Sequence, residues 1–374
     1  MIYLDNAATS LVKPLSVKRA VDYAMENYTA NPGRGGHDLS IKTGEIIFET
    51  RENIKDFFGA KSYEIIFTKN CTEALNLAIF GTLKSGDHVI TTCYEHNSIL
   101  RPLNLLKSIG VSVTILDCDL KDLPLILPAH IIEKTALVIT TFVSNVTGEI
   151  TDVKAISKLC KKHKIKYLID GAQACGHIDI NMEDIGADML AFSGHKGLLS
   201  ITGVGGLIVK NIHELTPLIY GGTGTDSSNF LQSTNSIEGF EAGTIPTIPI
   251  ISLNAGISFL KKNFSKIIKT EHDLCDVLYK KLKNIKNLTL LSNSKGLNVY
   301  SFVVENVDSS QVANILNDRF KICVRAGLHC APLVHKKFGT DNVGAVRVSV
   351  DFYNTIEELE YFIFALDAIA NGRL

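Results

Sequence analysis

Strand-length apolar runs alternate with helical patterns through the first two-thirds of this chain. That alternation confines it to a mostly parallel sheet covered by helices on both faces. Apolar residues recur at helical spacing over 17–28 and 43–58, and a strand over 64–68 then runs into Asn70-Cys71-Thr72-Glu73 and a helix over 74–82. Strands over 88–92 and 112–116 flank a helix over 97–109. A strand over 136–141 leads through a helix over 153–163 to an apolar run, 165–169, that ends in Asp170. Met189-Leu190-Ala191-Phe192 and the stretch 203–209 read as two more strands. In such a sheet the residues just past the strand ends gather along one crevice.

At 374 residues the chain is too long for one ordinary core. A long helical pattern from 250 to about 285 leads out of the alternating region, and 297–304, 311–317, 346–350 and 355–370 then suggest a small α+β unit. The expected division is a large domain over residues 1–252 and a small C-terminal α+β domain over residues 253–374, with the first ~14 residues packing against the small one. Between them lies a polar, glycine-rich loop over 221–229, followed by Pro246 and Pro249. Loops of that length in compact domains are usually functional or interfacial.

Hydrophobic residues at 45% and charged residues at 21% give a globular balance rather than a disordered one. The formal net charge is -1, so Lys161-Lys162-His163-Lys164 reads as a solvated helix face, and nucleic acid is not expected as a partner. No apolar run approaches the ~20 residues of a membrane helix, so no membrane partner is expected either. Met1-Ile2-Tyr3-Leu4-Asp5 lacks the basic region and apolar core of a signal peptide. The eight cysteines contain no C-x-x-C pair and no metal-ligand spacing. They read as reduced thiols, so the expected location is cytoplasmic and no metal site is expected.

The strand ends carry a specific chemistry. Lys196, in Ser193-Gly194-His195-Lys196, follows the run 189–192, and Asp170 ends the run before it. A lysine that forms a Schiff base with pyridoxal 5'-phosphate needs an acidic residue at the pyridine nitrogen, and these two supply the pair in order. Asp170 could also serve as a helix N-cap. Ser193 and His195 can hold a phosphate while a desolvated Lys196 loses its proton and attacks an aldehyde. Gln173 can reach the phenolic oxygen of the ring. Thr72 and the backbone N–H groups around it stand between a strand and a helix, which is an anion site, or simply a capping box variant. His96 follows a strand at the same sheet edge and could stack on the ring and exchange protons near neutrality, or be structural. Asn145 could bond the ring oxygen or a substrate carboxylate, or be a turn residue before Gly148.

A second cluster lies far along the chain in Val324-Arg325-Ala326-Gly327-Leu328-His329-Cys330. A cysteine beside a histidine, with Arg325 nearby, has surroundings that could favour thiolate; from spacing alone it reads rather as a buried thiol. Arg347 sits in an alternating strand that aims it to one face, which suits capture of an α-carboxylate.

Taken together these residues resemble the class V aminotransferase-fold enzymes, and within them the cysteine desulfurase and selenocysteine lyase group. The likeness runs nearly end to end, from Tyr3-Leu4-Asp5-Asn6-Ala7-Ala8-Thr9 and Asn31-Pro32-Gly33-Arg34-Gly35-Gly36-His37 through Thr72-Glu73-Ala74-Leu75-Asn76, Glu95-His96-Asn97 and Ser144-Asn145-Val146-Thr147-Gly148. It continues through Asp170-Gly171-Ala172-Gln173, Ser193-Gly194-His195-Lys196 and Phe240-Glu241-Ala242-Gly243-Thr244 to Gly327-Leu328-His329-Cys330-Ala331-Pro332. Each piece is weak alone; nine in order are specific.

The resemblance implies a PLP-dependent transferase of fold type I, aspartate aminotransferase-like, with a mostly parallel seven-stranded sheet, working as a homodimer. It implies Lys196 as the Schiff-base lysine, His96 on the ring, Asp170 at the pyridine nitrogen and Gln173 at the phenolic oxygen. Thr72, Ser193 and His195 would bind the phosphate, and Thr244 would reach the phosphate of the partner's cofactor. Asn145, Arg325, Arg347 and Arg34 would bind the amino acid, and Cys330 would accept sulfur. The implied reaction takes sulfur from L-cysteine, leaves L-alanine and a persulfide on Cys330, and can hand the sulfur to an acceptor protein. Release of selenium from L-selenocysteine, or transamination, are the alternatives. Three departures stand out: Gly197-Leu198-Leu199 after the lysine where the family has glycine and proline, Ile245-Pro246-Thr247 after Thr244, and Leu328 where the better-known desulfurases carry a second histidine.

Overall fold

The chain opens on a two-residue strand, β1 (Ile2–Tyr3), whose pairing lies at the far end of the sequence. The next seven strands are β2 (Glu64–Thr68), β3 (His88–Thr92), β4 (Ser112–Leu116), β5 (Thr135–Thr141), β6 (Lys166–Asp170), β7 (Met189–Ser193) and β8 (Gly205–Val209). They form one sheet in the order β2-β8-β7-β6-β5-β3-β4. This computed structural model describes residues 1–373 apart from 33, 34, 226, 227, 293 and 294.

Only β8 runs against its neighbours. Its pairings with β2 and β7 are antiparallel, whereas β4, β3, β5, β6 and β7 run parallel in succession. The cause is the short connection from β7, residues 194–204, which lets the chain turn back without the long crossover that a parallel return needs. That turn carries Lys196.

Every residue of β3, β7 and β8 is buried, which is why β7 and β8 read as apolar runs rather than alternations. Successive side chains still go to opposite faces. Ile65 and Phe67 of β2 join a core with Ile54, Ile156 and Ile257, while Ile66 between them joins another with Leu75 and Leu103. Some covering helices begin earlier than apolar spacing predicts, whereas those at Asn97 and Val153 begin where it places them. The helix Asp38–Phe57 starts where His37 accepts the Ser40 N–H, five residues before its apolar periodicity is visible.

The helix Thr247–Leu282 runs unbroken through the expected boundary at 252/253 and leads to the second sheet. There β9 (Leu288–Leu290), β10 (Val299–Val304), β12 (Arg325–Gly327) and β13 (Ala345–Ser349) pair antiparallel in the order β12-β13-β10-β9, and β11 (Ile322–Cys323) pairs in parallel with β1. The helices Ser309–Phe320 and Ile356–Ala370 pack on this sheet, the second one opened by a capping box of Thr355 and Glu358. Leu4, fully buried, joins the same core. Among the described residues no helix is long and apolar enough to cross a membrane.

Candidate active site

The ends of β2, β3, β5, β6 and β7 open onto one cleft. It brings together eight of the side chains expected from the sequence: Thr72, His96, Asn145, Asp170, Gln173, Ser193, His195 and Lys196.

On one wall the capping duty that Thr72 might have had belongs to Asn70. Its side chain accepts the Glu73 N–H at 3.0 Å, and Glu73 accepts the Lys69 N–H at 2.6 Å. Thr72 is free for another bond: its hydroxyl lies 2.8 Å from Ser98 Oγ, which lies 2.8 Å from His96 Nδ1. The backbone N–H of Ser98 also donates to Nδ1, so His96 caps the helix Asn97–Lys107 and lines the cleft at once. With Nδ1 accepting, the proton of the neutral ring is on Nε2. Burial holds His96 below the usual histidine value, against the opposing pull of Asp170. Ser98 carried no sequence signal beyond its position two residues after a histidine.

Asp170 is buried at the end of β6, and no helix follows to be capped. Its Oδ1 accepts the Ala172 N–H at 2.9 Å and the Cys71 thiol at 3.5 Å. Burial, then the Asp170 charge, pushes the Cys71 thiol well up, so it is a neutral donor here. Burial likewise pulls the Lys196 amine below the ordinary lysine value, with Asp170 opposing. His195 is brought down to about 4 by burial and by the Lys196 and Lys13 charges, so it is neutral and can offer an N–H without a charge.

The segment 4–13 is the part of the site that sequence reasoning left without a role. Ser10 Oγ lies 3.1 Å from both the His195 and the Lys196 carbonyls, and Lys13 Nζ donates to the His195 carbonyl at 3.0 Å. Thr9 Oγ1 is 3.1 Å from His195 Nδ1, and the Gln173 amide donates to the Ala7 carbonyl at 3.0 Å. The same segment grips β13, where the Ala7 N–H donates to Ser349 Oγ at 2.8 Å. The hints were the polar residues Asn6, Thr9 and Ser10 and the place of residues 3–9 among the segments that carry the resemblance.

Arg347, on β13, is 1% exposed. Its Nη2 donates to Asp5 Oδ1 at 2.9 Å and its Nη1 to the Asn145 carbonyl at 3.2 Å; Nε is buried without a partner among the described residues. Arg325 stands directly opposite it in the β12–β13 pair. The Asn145 side chain donates to the His329 carbonyl at 2.7 Å. Cys330 is exposed, not a buried thiol, and its carbonyl accepts the Asn97 N–H at 2.7 Å, one residue beyond His96. His329 does not supply a charge to that thiol. Its ring turns inward, Nε2 bonded to the Ala345 carbonyl, and burial drives it down to about 2.

Thr244 lies outside the cleft and is exposed. Its segment is anchored through Glu241, which takes Arg51 at 2.8 and 2.6 Å and the Phe67 N–H at 2.5 Å. Arg34 lies outside the described residues.

The sequence matches the family described as aminotransferase class-V over residues 2–362. The chain belongs to that family. Its similar relatives include probable cysteine desulfurases from Pyrococcus abyssi, 37% identical and covering 100% of this chain and 95% of the relative, and from Methanothermobacter thermautotrophicus, 34% identical over 99% and 94%. A solved apo cysteine desulfurase from Thermococcus onnurineus NA1 superposes with a TM-score of 0.90 at 34% identity, covering 99% of this chain and 95% of that one. A cysteine desulfurase from Escherichia coli, at 24% identity and a TM-score of 0.86, shows the fold alone. Within the first departure of this class V chain, Leu199 is buried with φ +62, a left-handed conformation that a non-glycine residue rarely adopts.

Proposed function

We propose that this protein is a PLP-dependent cysteine desulfurase, converting L-cysteine to L-alanine with Cys330 as the sulfur acceptor. One observation carries the reading. The cleft presents an amine, a carboxylate oxygen and a hydroxyl, on Lys196, Asp170 (Oδ2) and Ser193, and none of the three is hydrogen-bonded to another described residue. An aldehyde, a pyridinium N–H and a phosphate ask for that set, with the Thr72 hydroxyl and a neutral His195 N–H completing the phosphate's donors. Bound there, the cofactor would supply a sink for the electron pair left when a Cα–H bond breaks.

The chain's own residues do the rest. Arg347, Arg325 and Asn145 hold the amino acid by its carboxylate. Lys196, whose amine burial shifts towards the neutral form, takes the Cα proton. The Cys330 thiolate attacks the substrate sulfur: an S–S bond forms, the Cβ–S bond breaks with its electron pair going to carbon, a proton added at Cβ makes the methyl group, and the proton that Lys196 took returns to Cα to complete alanine. Atoms and electrons balance without an oxidant. His96, with its proton on Nε2, is a group that can pass one to or from the sulfur.

We further read the molecule as a homodimer in which Thr244 reaches the partner's cofactor phosphate, with a sulfur-accepting protein as a further partner. Support for the dimer comes from Tyr220, Phe230 and Leu231, large exposed side chains in the loop that is bonded to the Thr244 segment through Gly243 and Gly222. The decisive measurement is product analysis with L-cysteine beside the visible spectrum. The wild type should release alanine and show the absorption of a lysine-bound cofactor, and Lys196→Ala should lose both. A band that survives Lys196→Ala removes the reading.

A further inference from the structure

We propose that Asp5 is a positioning residue that sets the charge of the carboxylate site, restricting it to amino acids with a single carboxylate. The inference rests on the reading of Arg347 and Arg325 as the groups that take the substrate's carboxylate.

Those two arginines face each other across the β12–β13 pair, and like charges directly opposite one another in a sheet repel. Among the described residues, Asp5 supplies the one carboxylate hydrogen-bonded to either. It holds Nη2 of Arg347 at 2.9 Å, while Nη1 is bonded to the Asn145 carbonyl at 3.2 Å. Held at both ends, the guanidinium of a side chain that is 1% exposed has one way to present its remaining donors.

Asp5 is itself fixed at the backbone. Its bridge to Ser349 on β13 and the bond from the Ala8 N–H to its carbonyl at 3.0 Å fix it against the strand that carries Arg347. The three groups together carry one net positive charge. A single α-carboxylate neutralises it; a second carboxylate would leave an unbalanced negative charge beside a buried guanidinium. With Asp5 neutral the site would carry two positive charges and would accept a dicarboxylate.

The test is calorimetric titration of the holoenzyme with L-alanine and with L-aspartate, neither of which needs the sulfur chemistry. For Asp5→Asn the affinity for L-aspartate relative to L-alanine should rise by about tenfold or more. For Asp5→Glu, which keeps the charge, the ratio should stay within about twofold of wild type even where both affinities fall with the displaced guanidinium. Asp5→Ser provides the neutral side chain should the asparagine variant not fold. An unchanged ratio in the neutral variant, or a shift in Asp5→Glu as large as in Asp5→Asn, overturns the proposal. Absence of any L-alanine binding to the wild type instead overturns the carboxylate reading beneath it.

Discussion

The backbone N–H of Asn97 donates to the carbonyl of Cys330 at 2.7 Å, tying a thiol from the C-terminal part of the chain to the residue after His96. The tie is made in backbone, so the position of the loop does not depend on the cysteine side chain. His329 and Cys330 both hold left-handed conformations, φ +50 and +57, which non-glycine residues rarely adopt. Cys330→Ala should therefore fold, bind cofactor with the wild-type spectrum, and lose alanine formation from L-cysteine by at least about 100-fold. Undiminished turnover in that variant would remove Cys330 from the reaction.

Glu95 is fully buried; Thr92 Oγ1 donates to its Oε1 at 2.6 Å, and Oε2 has no partner among the described residues. Burial, with the Asp170 charge behind it, raises this carboxyl to about 8. The folded state thus keeps a proton that the unfolded chain, near 4.5, gives up. Stability must fall as pH rises between those values, by at most about 1.4 kcal/mol per pH unit, and level off above them. Glutamine mimics the protonated acid, so Glu95→Gln should melt increasingly above wild type as pH goes from 5 to 8. A constant difference across that range would mean Glu95 is ionised in the fold.

Much of this was legible in the sequence because it is local. Buried strands betray themselves as apolar runs, and the residues that end them, Asp170 after β6 and Lys196 just past β7, fall at the crevice by geometry alone. The reversal of β8 was not legible, since a strand buried on both faces carries no mark of direction. Nor was the clamp of Ser10 and Lys13 on the His195 and Lys196 carbonyls: its partners are more than 180 residues apart, and a hydroxyl facing a carbonyl leaves no periodicity. The Asp5–Arg347 pair escaped for the same reason, although both residues stood inside segments already singled out. The polarity of His329 misled the reading of Cys330, because adjacency in sequence says nothing about a ring that turns inward to the Ala345 carbonyl.

Gly176 and Gly197 meet backbone to backbone. A Cβ on Gly176 would lie 2.3 Å from the Gly197 carbonyl oxygen, at a φ of +95 that side chains resist; a Cβ on Gly197 would lie 2.4 Å from the Cys175 carbonyl. This contact sets where the turn after Lys196 sits relative to the Asp170 loop, and neither partner is the end of a flexible side chain. Gly176→Ala should cost about 2–5 kcal/mol and weaken cofactor retention along with stability, because the turn that must move carries the lysine. Gly36→Ala is the matched control: its added Cβ meets nothing within 4 Å, and its effect should stay within about 0.5 kcal/mol. Denaturant melts and cofactor content, measured side by side on the two variants, check the pair. If Gly176→Ala loses stability but retains cofactor as the wild type does, the position of Lys196 is set by other contacts.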